Sequence, residues 1–343
     1  MLNRVLVAIV AATVLLVTPT TSAGQSSRGI PDGWTAPRTV DGQPDLQGVW
    51  ASDSATPLER PAALAEREYL TDEEVALLRQ KAAELFNGET DAAFGDSVYE
   101  AVLNDAKDYQ SGDTTGNYNQ FWLIDRWFEN RTSLIVDPPN GRIPPLTPEG
   151  QARQEAVPPR RDGALGAPPP HGPEDLGGMR CLGGRVPLAG RGYNSNYQIV
   201  QSASHVAILM EMQHDTRIIP LDGRPHAPSS VRTRLGDSRG HWDGETLVVE
   251  TTNLKGGVRG SSNDLRLVER FTRVAPDVLQ YEYTMDDPST WTQPWTARVF
   301  MQPSPGTGII YEFACHEGNY AVEHTLRGAR VQEAAAARGD VSP

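Results

Sequence analysis

The chain lacks the sequence signatures of several large enzyme classes. Its 343 residues contain no glycine-rich phosphate loop after a strand, no Cys-x-x-Cys pair and no EF-hand loop. A Gly-x-Ser-x-Gly match occurs once, at residues 236–240, but it leads into a predicted hairpin and not into the helix that a nucleophile elbow needs. Each of these motifs places groups that the corresponding chemistry needs. Serine hydrolases, nucleotide-dependent enzymes and dithiol redox proteins are therefore poor matches, and any activity must depend on a less regular set of residues.

Lysine and basic clusters are also scarce. Only three of the 31 basic residues are Lys, and the formal net charge is −13. No stripe of positive charge interleaves with aromatic residues, so the sequence predicts no nucleic-acid partner. The surplus of Arg suits fixed pairs with carboxylates, because the guanidinium group is planar and bidentate. A GC-rich genome is the alternative explanation.

Long apolar runs are absent beyond the N-terminus. Arg4 precedes an apolar run at residues 5–17, and small residues lead to Ala23. The run is shorter than the roughly 18–20 residues of a membrane-spanning helix. The pattern therefore predicts a cleaved signal peptide over residues 1–23, with a retained anchor as the alternative. We expect a periplasmic or secreted chain that begins near Gly24 and has no membrane span.

The chain contains two cysteines, Cys181 and Cys315. In an exported protein an even number of cysteines indicates a disulfide, which here would close a loop of about 134 residues. A thiol nucleophile beside His316 is the alternative, but an oxidising compartment disfavours it.

Short strands joined by turns dominate the second half of the sequence. They lack alternating helices, which excludes a doubly wound α/β fold and favours a lipocalin-like antiparallel β-barrel, with a β-sandwich as the alternative. We expect one domain over residues 24–343, with a helical insertion at about 57–116 and a Pro/Gly-rich loop at about 151–191. The predicted strands lie at residues 44–50, 131–136, 197–201, 205–212, 217–221, 240–242, 246–253, 265–274, 278–286, 295–302 and 308–315.

The clearest predicted helix lies at residues 70–86. Thr71 followed by Glu74 forms a capping-box pattern, and Val75, Leu78 and Ala82 recur at helical spacing. The segment at residues 91–116 is polar and is expected to be irregular.

Ionisable residues are concentrated at residues 211–242, between apolar strands. Because burying charge is costly unless it is paired, these residues need a joint explanation. One hypothesis is a catalytic site with His214 as acid or base, Asp215 or Glu211 as its orienting carboxylate, Arg217 as anion stabiliser and His226 as a second acid. A period of two would place His214 on the same strand face as Met210 and Met212.

Two alternatives explain the same segment. Pairs such as Asp215–Arg217 and Asp237–Arg239 can simply brace the loops. A weak zinc hypothesis takes His214, His226 and His241 with Glu211, although the spacing matches no tight metal motif. We therefore expect no cofactor, and zinc remains the alternative.

Other side chains are candidate ligand contacts rather than catalytic groups. Aromatic residues beside acids suit a small aromatic molecule, although packing in a core, a lid or a capped turn explains them as well. These candidates are Tyr118, Asn119, Trp122, Asp125, Trp291, Trp295, His316 and Glu317.

Several segments together resemble a family of exported acidobacterial and proteobacterial proteins. The resemblance covers most of the chain after the signal peptide, and it implies export but no particular activity. His241 stands where the family pattern has Arg, which weakens its candidacy as a ligand or catalyst. The Gly-x-Trp at residues 48–50 is similar to the start of lipocalin-type barrels. The matching segments are residues 44–50, 131–150, 180–182, 197–201, 211–226, 235–253, 267–274, 286–296 and 311–320.

The leading functional hypothesis is an exported enzyme without a cofactor. It would act on a small, partly aromatic molecule by acid–base chemistry, as a lyase, isomerase or hydrolase. The competing hypothesis is a periplasmic carrier that binds a hydrophobic or aromatic ligand, and a zinc enzyme is the third. The expected partner is a small molecule, and the sequence leaves the oligomeric state open.

Overall fold

A computed structural model describes residues 33–86, 96–104, 126–159, 161, 167–182, 186–188, 193–305 and 308–339. These residues are organised mainly by antiparallel β-structure, with four α-helices beside it. The strands are β1 Gly48–Ala51, β2 Ile135–Asp137, β3 Asn196–Gln201, β4 His205–Met210, β5 Thr216–Pro220, β6 Asp237–Asp243, β7 Thr246–Thr252, β8 Arg266–Ala275, β9 Val278–Asp286 and β10 Trp295–Pro303. The helices are α1 Asp72–Leu85, α2 Asp96–Leu103, α3 Pro148–Glu155 and α4 Ala321–Arg338.

The strands form one sheet in the order β5-β4-β3-β1-β10-β9-β8-β7-β6, and β2 pairs with the beginning of β10. Most neighbours in the sheet are also neighbours in sequence, because short turns join them. In the part of the chain that the structure describes, the backbone ladder ends at β5 on one side and at β6 on the other. The mainly antiparallel β prediction is confirmed, and closure into a barrel is not.

One face of the sheet carries the core. Strand β9 shows the pattern most clearly: Leu279, Tyr281, Tyr283 and Met285 are all fully buried, while the intervening residues are partly exposed. Because side chains alternate between the faces of a strand, this period of two directs every second residue into one apolar cluster. The cluster draws on β1 to β5 and β7 to β10, and it also takes Val186 and Leu188 from the Pro/Gly-rich loop.

The end strands β5 and β6 meet through side chains. Arg217 Nε on β5 donates to Ser238 Oγ on β6 at 2.9 Å. Gly240 of β6 lies under Ile219 and Leu221, since a Cβ atom there would lie 2.8 Å from each of those side chains. We call this line of contact the β5–β6 seam.

The expected helix at residues 70–86 is confirmed as α1. Thr71 Oγ1 accepts from Glu74 N at 3.3 Å, and Glu74 Oε2 accepts from Thr71 N at 2.8 Å, which completes the capping box. Helix α2 lies within the segment expected to be irregular, so that expectation is wrong there. The two helices pack together through a separate apolar cluster that includes Tyr99 and Phe128.

The C-terminal part differs from the prediction. Residues 308–315 are not a strand, because both edges of β10 are already taken by β9 on one side and by β1 and β2 on the other. Instead the chain reaches the predicted disulfide between Cys181 and Cys315, with Cα atoms 5.8 Å apart, and then forms α4, which the sequence reading missed. No helix in the described ranges is apolar and long enough to cross a membrane.

Candidate functional site

The segment at residues 211–242 does not form one constellation, and its first turn explains why. Strand β4 ends at Met210, and a 3₁₀ turn at Met212–His214 follows, with φ of 66° at Gln213 and 55° at His214. This turn interrupts the extended backbone, so side chains after Met210 no longer alternate between the two faces of the strand. Met210 is therefore buried in the core while His214 is exposed, and their placement on one strand face is a wrong prediction.

Glu211 and Asp215 contact the ends of neighbouring strands. The Glu211 carboxylate accepts from Asn196 N at 3.2 Å and from Asn196 Nδ2 at 2.8 Å. The backbone carbonyl of Asp215 accepts from Met210 N at 2.9 Å. The Glu211 bonds connect the β4–β5 turn to the beginning of β3, and the bond between Met210 and Asp215 closes that turn. None of these three bonds involves the His214 ring.

Arg217 lies inside the core, at the centre of a cluster of buried polar side chains. Its Nη1 donates to Glu269 Oε1 at 3.0 Å, its Nη2 donates to Glu269 Oε2 and, at 2.6 Å, to Thr251 Oγ1, and its Nε donates to Ser238. The Arg217 and Glu269 side chains are 2% and 0% exposed. Glu269, rather than Asp215, is therefore the partner of Arg217. We call Arg217, Glu269, Tyr281, Ser238 and Thr251 the interior network.

Tyr281 connects the interior network to the Pro/Gly-rich loop. Its hydroxyl donates to Glu269 Oε1 at 2.8 Å and accepts from Leu188 N at 2.9 Å. Burial, followed by the charge of Glu269, raises the pKa of Tyr281 well above its ordinary value. The phenol therefore stays protonated and keeps both hydrogen bonds at physiological pH.

The geometry of the interior network favours fixed positioning over chemistry on a substrate. The guanidinium bonds to groups on β6, β7 and β8, so it links the end strand β5 to three others. A buried bidentate pair is expensive to break, because either partner alone would be an uncompensated buried charge. Arg217 thus contacts no open surface on which it could hold a substrate anion.

His226 lies on the opposite, outer face of the sheet. Its Nδ1 is 2.9 Å from Asp237 Oδ2, its Nε2 is 3.4 Å from Glu250 Oε1, and its side chain is 24% exposed. Arg239 Nη1 pairs with Asp237 at 2.7 Å, and Arg266 Nε donates to Glu250 at 2.8 Å. We call these five residues the outer-face network.

The carboxylates of the outer-face network are ionised more readily than usual. Burial opposes ionisation of Asp237, but the Ala227 amide, His226 and Arg239 outweigh it and lower the pKa. Burial likewise opposes ionisation of Glu250, and Arg266 with His226 lowers its pKa. Both side chains therefore carry charge at neutral pH and can accept hydrogen bonds from an imidazolium ring.

Trp291 and Trp295 belong to the core. They are 3% and 0% exposed, and they continue a chain of aromatic rings in which neighbouring centroids lie 4.8–5.9 Å apart. The order of the rings is Phe271, Tyr281, Tyr283, Trp295 and Trp291. The indole Nε1 of Trp295 is fully buried and has no hydrogen-bond acceptor among the described residues.

The remaining candidates fall elsewhere or lie outside the described residues. His316 and Glu317 are exposed in the turn after Cys315, and this turn is attached to the Pro/Gly-rich loop through Asn319 Nδ2, which donates to Met179 O at 2.8 Å. His241 is exposed on β6. Within the described ranges, no cluster of three or more His, Cys, Asp or Glu side chains could hold a metal ion. The candidates outside the described residues are Tyr118, Asn119, Trp122 and Asp125.

The sequence reading missed Glu269 and Tyr281, although both carried a signal. Glu269 lies between Leu267 and Phe271 on the buried face of β8, where every second residue points inward. Tyr281 lies on the buried face of β9. An acid at an inward strand position is a buried charge, so it requires a cation or hydrogen-bond donors nearby.

Comparisons with protein-family models, with characterised proteins and with solved structures returned no match.

Proposed function

We propose that this protein is an exported carrier that binds a small, partly aromatic molecule on the inner face of its sheet. The observation that carries the proposal is the chain of five aromatic rings beside the interior network. Aromatic walls with a few fixed polar groups are typical of sites for small organic ligands. The disulfide is compatible with an oxidising compartment outside the cytoplasm.

The proposal includes closure of the sheet into a barrel along the β5–β6 seam. In its support, Arg217 on β5 reaches Ser238, Thr251 and Glu269 on the last three strands at the other end of the ladder order. A barrel of about this many strands has room for one small ligand.

The Pro/Gly-rich loop would control access to the interior. Val186 and Leu188 are each 1% exposed within the core cluster, and Leu188 is bonded to Tyr281. We propose that a ligand displaces this part of the loop and takes its place against the aromatic rings. The buried Nε1 of Trp295 would then donate to an acceptor atom of the ligand, which would satisfy a polar group that is otherwise left without a partner.

Ligand titration of the purified, disulfide-bonded protein tests this proposal. The probes are 2-naphthol, indole and naphthalene-2-carboxylate, and binding is followed by tryptophan fluorescence and by thermal shift. Loss of one hydrogen bond predicts that Trp295→Phe weakens binding of the oxygen-bearing probes roughly 2- to 10-fold. Trp127→Phe is the control, because Trp127 packs against Phe300 outside the main core cluster. No saturable binding, or equal losses in the two variants, would contradict the carrier proposal.

Acid–base catalysis remains a second proposal, and its support is the 2.9 Å contact between His226 and Asp237. A carboxylate in such a contact can orient an imidazole ring and favour its protonated form. Incubation with a panel of small aromatic esters, lactones and hydroxy acids, read by mass spectrometry, tests it. Turnover that disappears in His226→Gln but persists in His241→Gln would support catalysis, and no turnover of any compound would count against it.

A further inference from the structure

A loop on the outer face of the sheet connects β5 to β6. Residues 221–236, which we call the strap, form this loop. Several hydrogen bonds attach the strap to the sheet. Ala227 N donates to Asp237 Oδ2 at 2.8 Å, and its carbonyl accepts from Asn253 Nδ2 at 2.9 Å. Farther along, Thr233 N donates to Asn253 O at 3.1 Å.

Charges on the strap are paired in different ways. Asp222 and Arg224 pair with each other within the strap, and Arg232 reaches Asp264 at 3.1 Å. His226 differs from these residues, because its two ring nitrogens face carboxylates on two different strands, Asp237 on β6 and Glu250 on β7.

The protonation state of His226 decides how many of these contacts are favourable. A neutral imidazole has one N–H, so one of its two carboxylate contacts must oppose a nitrogen lone pair to a negative oxygen. An imidazolium ring donates from both nitrogens and adds a positive charge between two anions. The two carboxylates are already ionised at neutral pH, because their surroundings lower the pKa of each.

The other charged groups around His226 leave room for this extra charge. Arg239 from β6 bonds to Asp237 Oδ1, and Arg266 from β8 bonds to Glu250 Oε2. The oxygens that face the ring are Asp237 Oδ2 and Glu250 Oε1, so the arginines do not occupy the atoms that an imidazolium needs.

From this geometry we infer that His226 is a pH-sensitive latch, whose protonation holds the strap against β6 and β7. The latch tightens as pH falls through the histidine range and loosens as pH rises. Loosening frees the strap segment around Ala227 from its contacts with Asp237 and Asn253. The inference goes beyond the proposed carrier function and does not depend on it, because it concerns the strap without any ligand.

Amide hydrogen exchange of the strap in the full, disulfide-bonded chain tests the latch. Exchange of residues 221–236 is measured at about pH 5.5 and about pH 8, on either side of the ordinary histidine range, and is corrected for the intrinsic pH dependence. Because the ion pairs are partly exposed, we expect the corrected exchange to be slowed roughly twofold to fivefold at the lower pH. His226→Gln should abolish the difference, since it cannot titrate, whereas His241→Gln, at an exposed position of β6, should retain it.

The same corrected ratio in the wild-type chain and in His226→Gln would overturn the latch. If His226→Gln does not fold, Glu250→Gln replaces it, because this change keeps the Asp237 contact and removes one of the two anions. A reduced pH effect in Glu250→Gln supports the latch, and an unchanged effect overturns it.

Discussion

Replacing Arg217 by Met would remove the cation from a fully buried carboxylate. Glu269 is 0% exposed, and its Oε1 and Oε2 are bonded to Arg217 and Tyr281. Removing one member of a buried ion pair costs about 3–5 kcal/mol, because the other charge is left uncompensated. Ser238 and Thr251 can still bond to each other, with their oxygens 3.0 Å apart, so they add little to this cost. We therefore expect Arg217→Met to lower the free energy of unfolding by about 3–5 kcal/mol.

Urea unfolding of the disulfide-bonded protein measures this loss, with far-UV circular dichroism and tryptophan fluorescence as coincident probes. For a slope of about 3 kcal/mol per molar urea, the midpoint should fall by about 1–2 M. Arg270→Met is the matched control, because Arg270 pairs with Asp243 on the surface, where the side chains are 41% and 63% exposed. The control should lose less than about 1 kcal/mol.

A double variant, Arg217→Met with Glu269→Leu, separates charge from packing. Removing both charges leaves no uncompensated carboxylate, so the double variant should regain most of the stability lost in Arg217→Met. Equal losses in Arg217→Met and Arg270→Met would refute the reasoning, because they would mean that Glu269 can reach water or another cation.

Three further predictions concern the loop anchor, a tight contact and the outer face. Replacing both disulfide cysteines by serine opens a loop with a sequence separation of 134 residues. The chain-entropy estimate is a loss of about 4–5 kcal/mol in urea unfolding, and a loss below about 1 kcal/mol would argue against this anchor. Gly150→Ala should lower the melting temperature, because its Cβ would lie 2.5 Å from the carbonyl oxygen of Thr290, whereas Gly177→Ala, with open space at the Cβ position, should not. The pKa of Asp237 is lower in the folded chain than the value of about 3.9 in an unfolded chain, so ionised Asp237 stabilises the fold above that pH. This stabilisation is lost as pH falls through the pKa of the folded state. Asp237→Asn should therefore make the free energy of unfolding depend less on pH in the acid range.

Local patterns predicted the parts of the fold that local forces determine. The capping box at Thr71 and Glu74 marks the start of α1 within one residue, because both bonds form within a single turn. In β9 the apolar residues Leu279, Tyr281, Tyr283 and Met285 stand at every second position and match the buried face, since each strand buries one side of its pleat. Neither pattern depends on what lies elsewhere in the chain.

Patterns that depend on distant partners misled the sequence reading. Residues 308–315 have the apolar content of a strand, but a strand also needs a free edge, and the edges of β10 are occupied. His214 was expected to continue the β4 face, but Gln213 and His214 adopt left-handed backbone conformations that end the strand at Met210. Such conformations are uncommon for residues other than Gly, so side-chain pattern alone gives no reason to expect them.

The buried pair of Arg217 and Glu269 shows what sequence can and cannot determine about the site. Glu269 is buried because it lies on the inward face of β8, and a buried carboxylate requires a cation or several hydrogen-bond donors. The position of Glu269 on the buried face does not identify its cation, because Arg217 is 52 residues away in sequence and β5 does not pair with β8 in the sheet. Arg217 reaches Glu269 because the sheet brings β5 beside β6, with Ser238 and Thr251 as intermediate contacts. Among the ionisable residues at residues 211–242, Arg217 is the one that is buried, and its partner Glu269 lies outside the segment. His214 is exposed, because the backbone ends the strand at Met210.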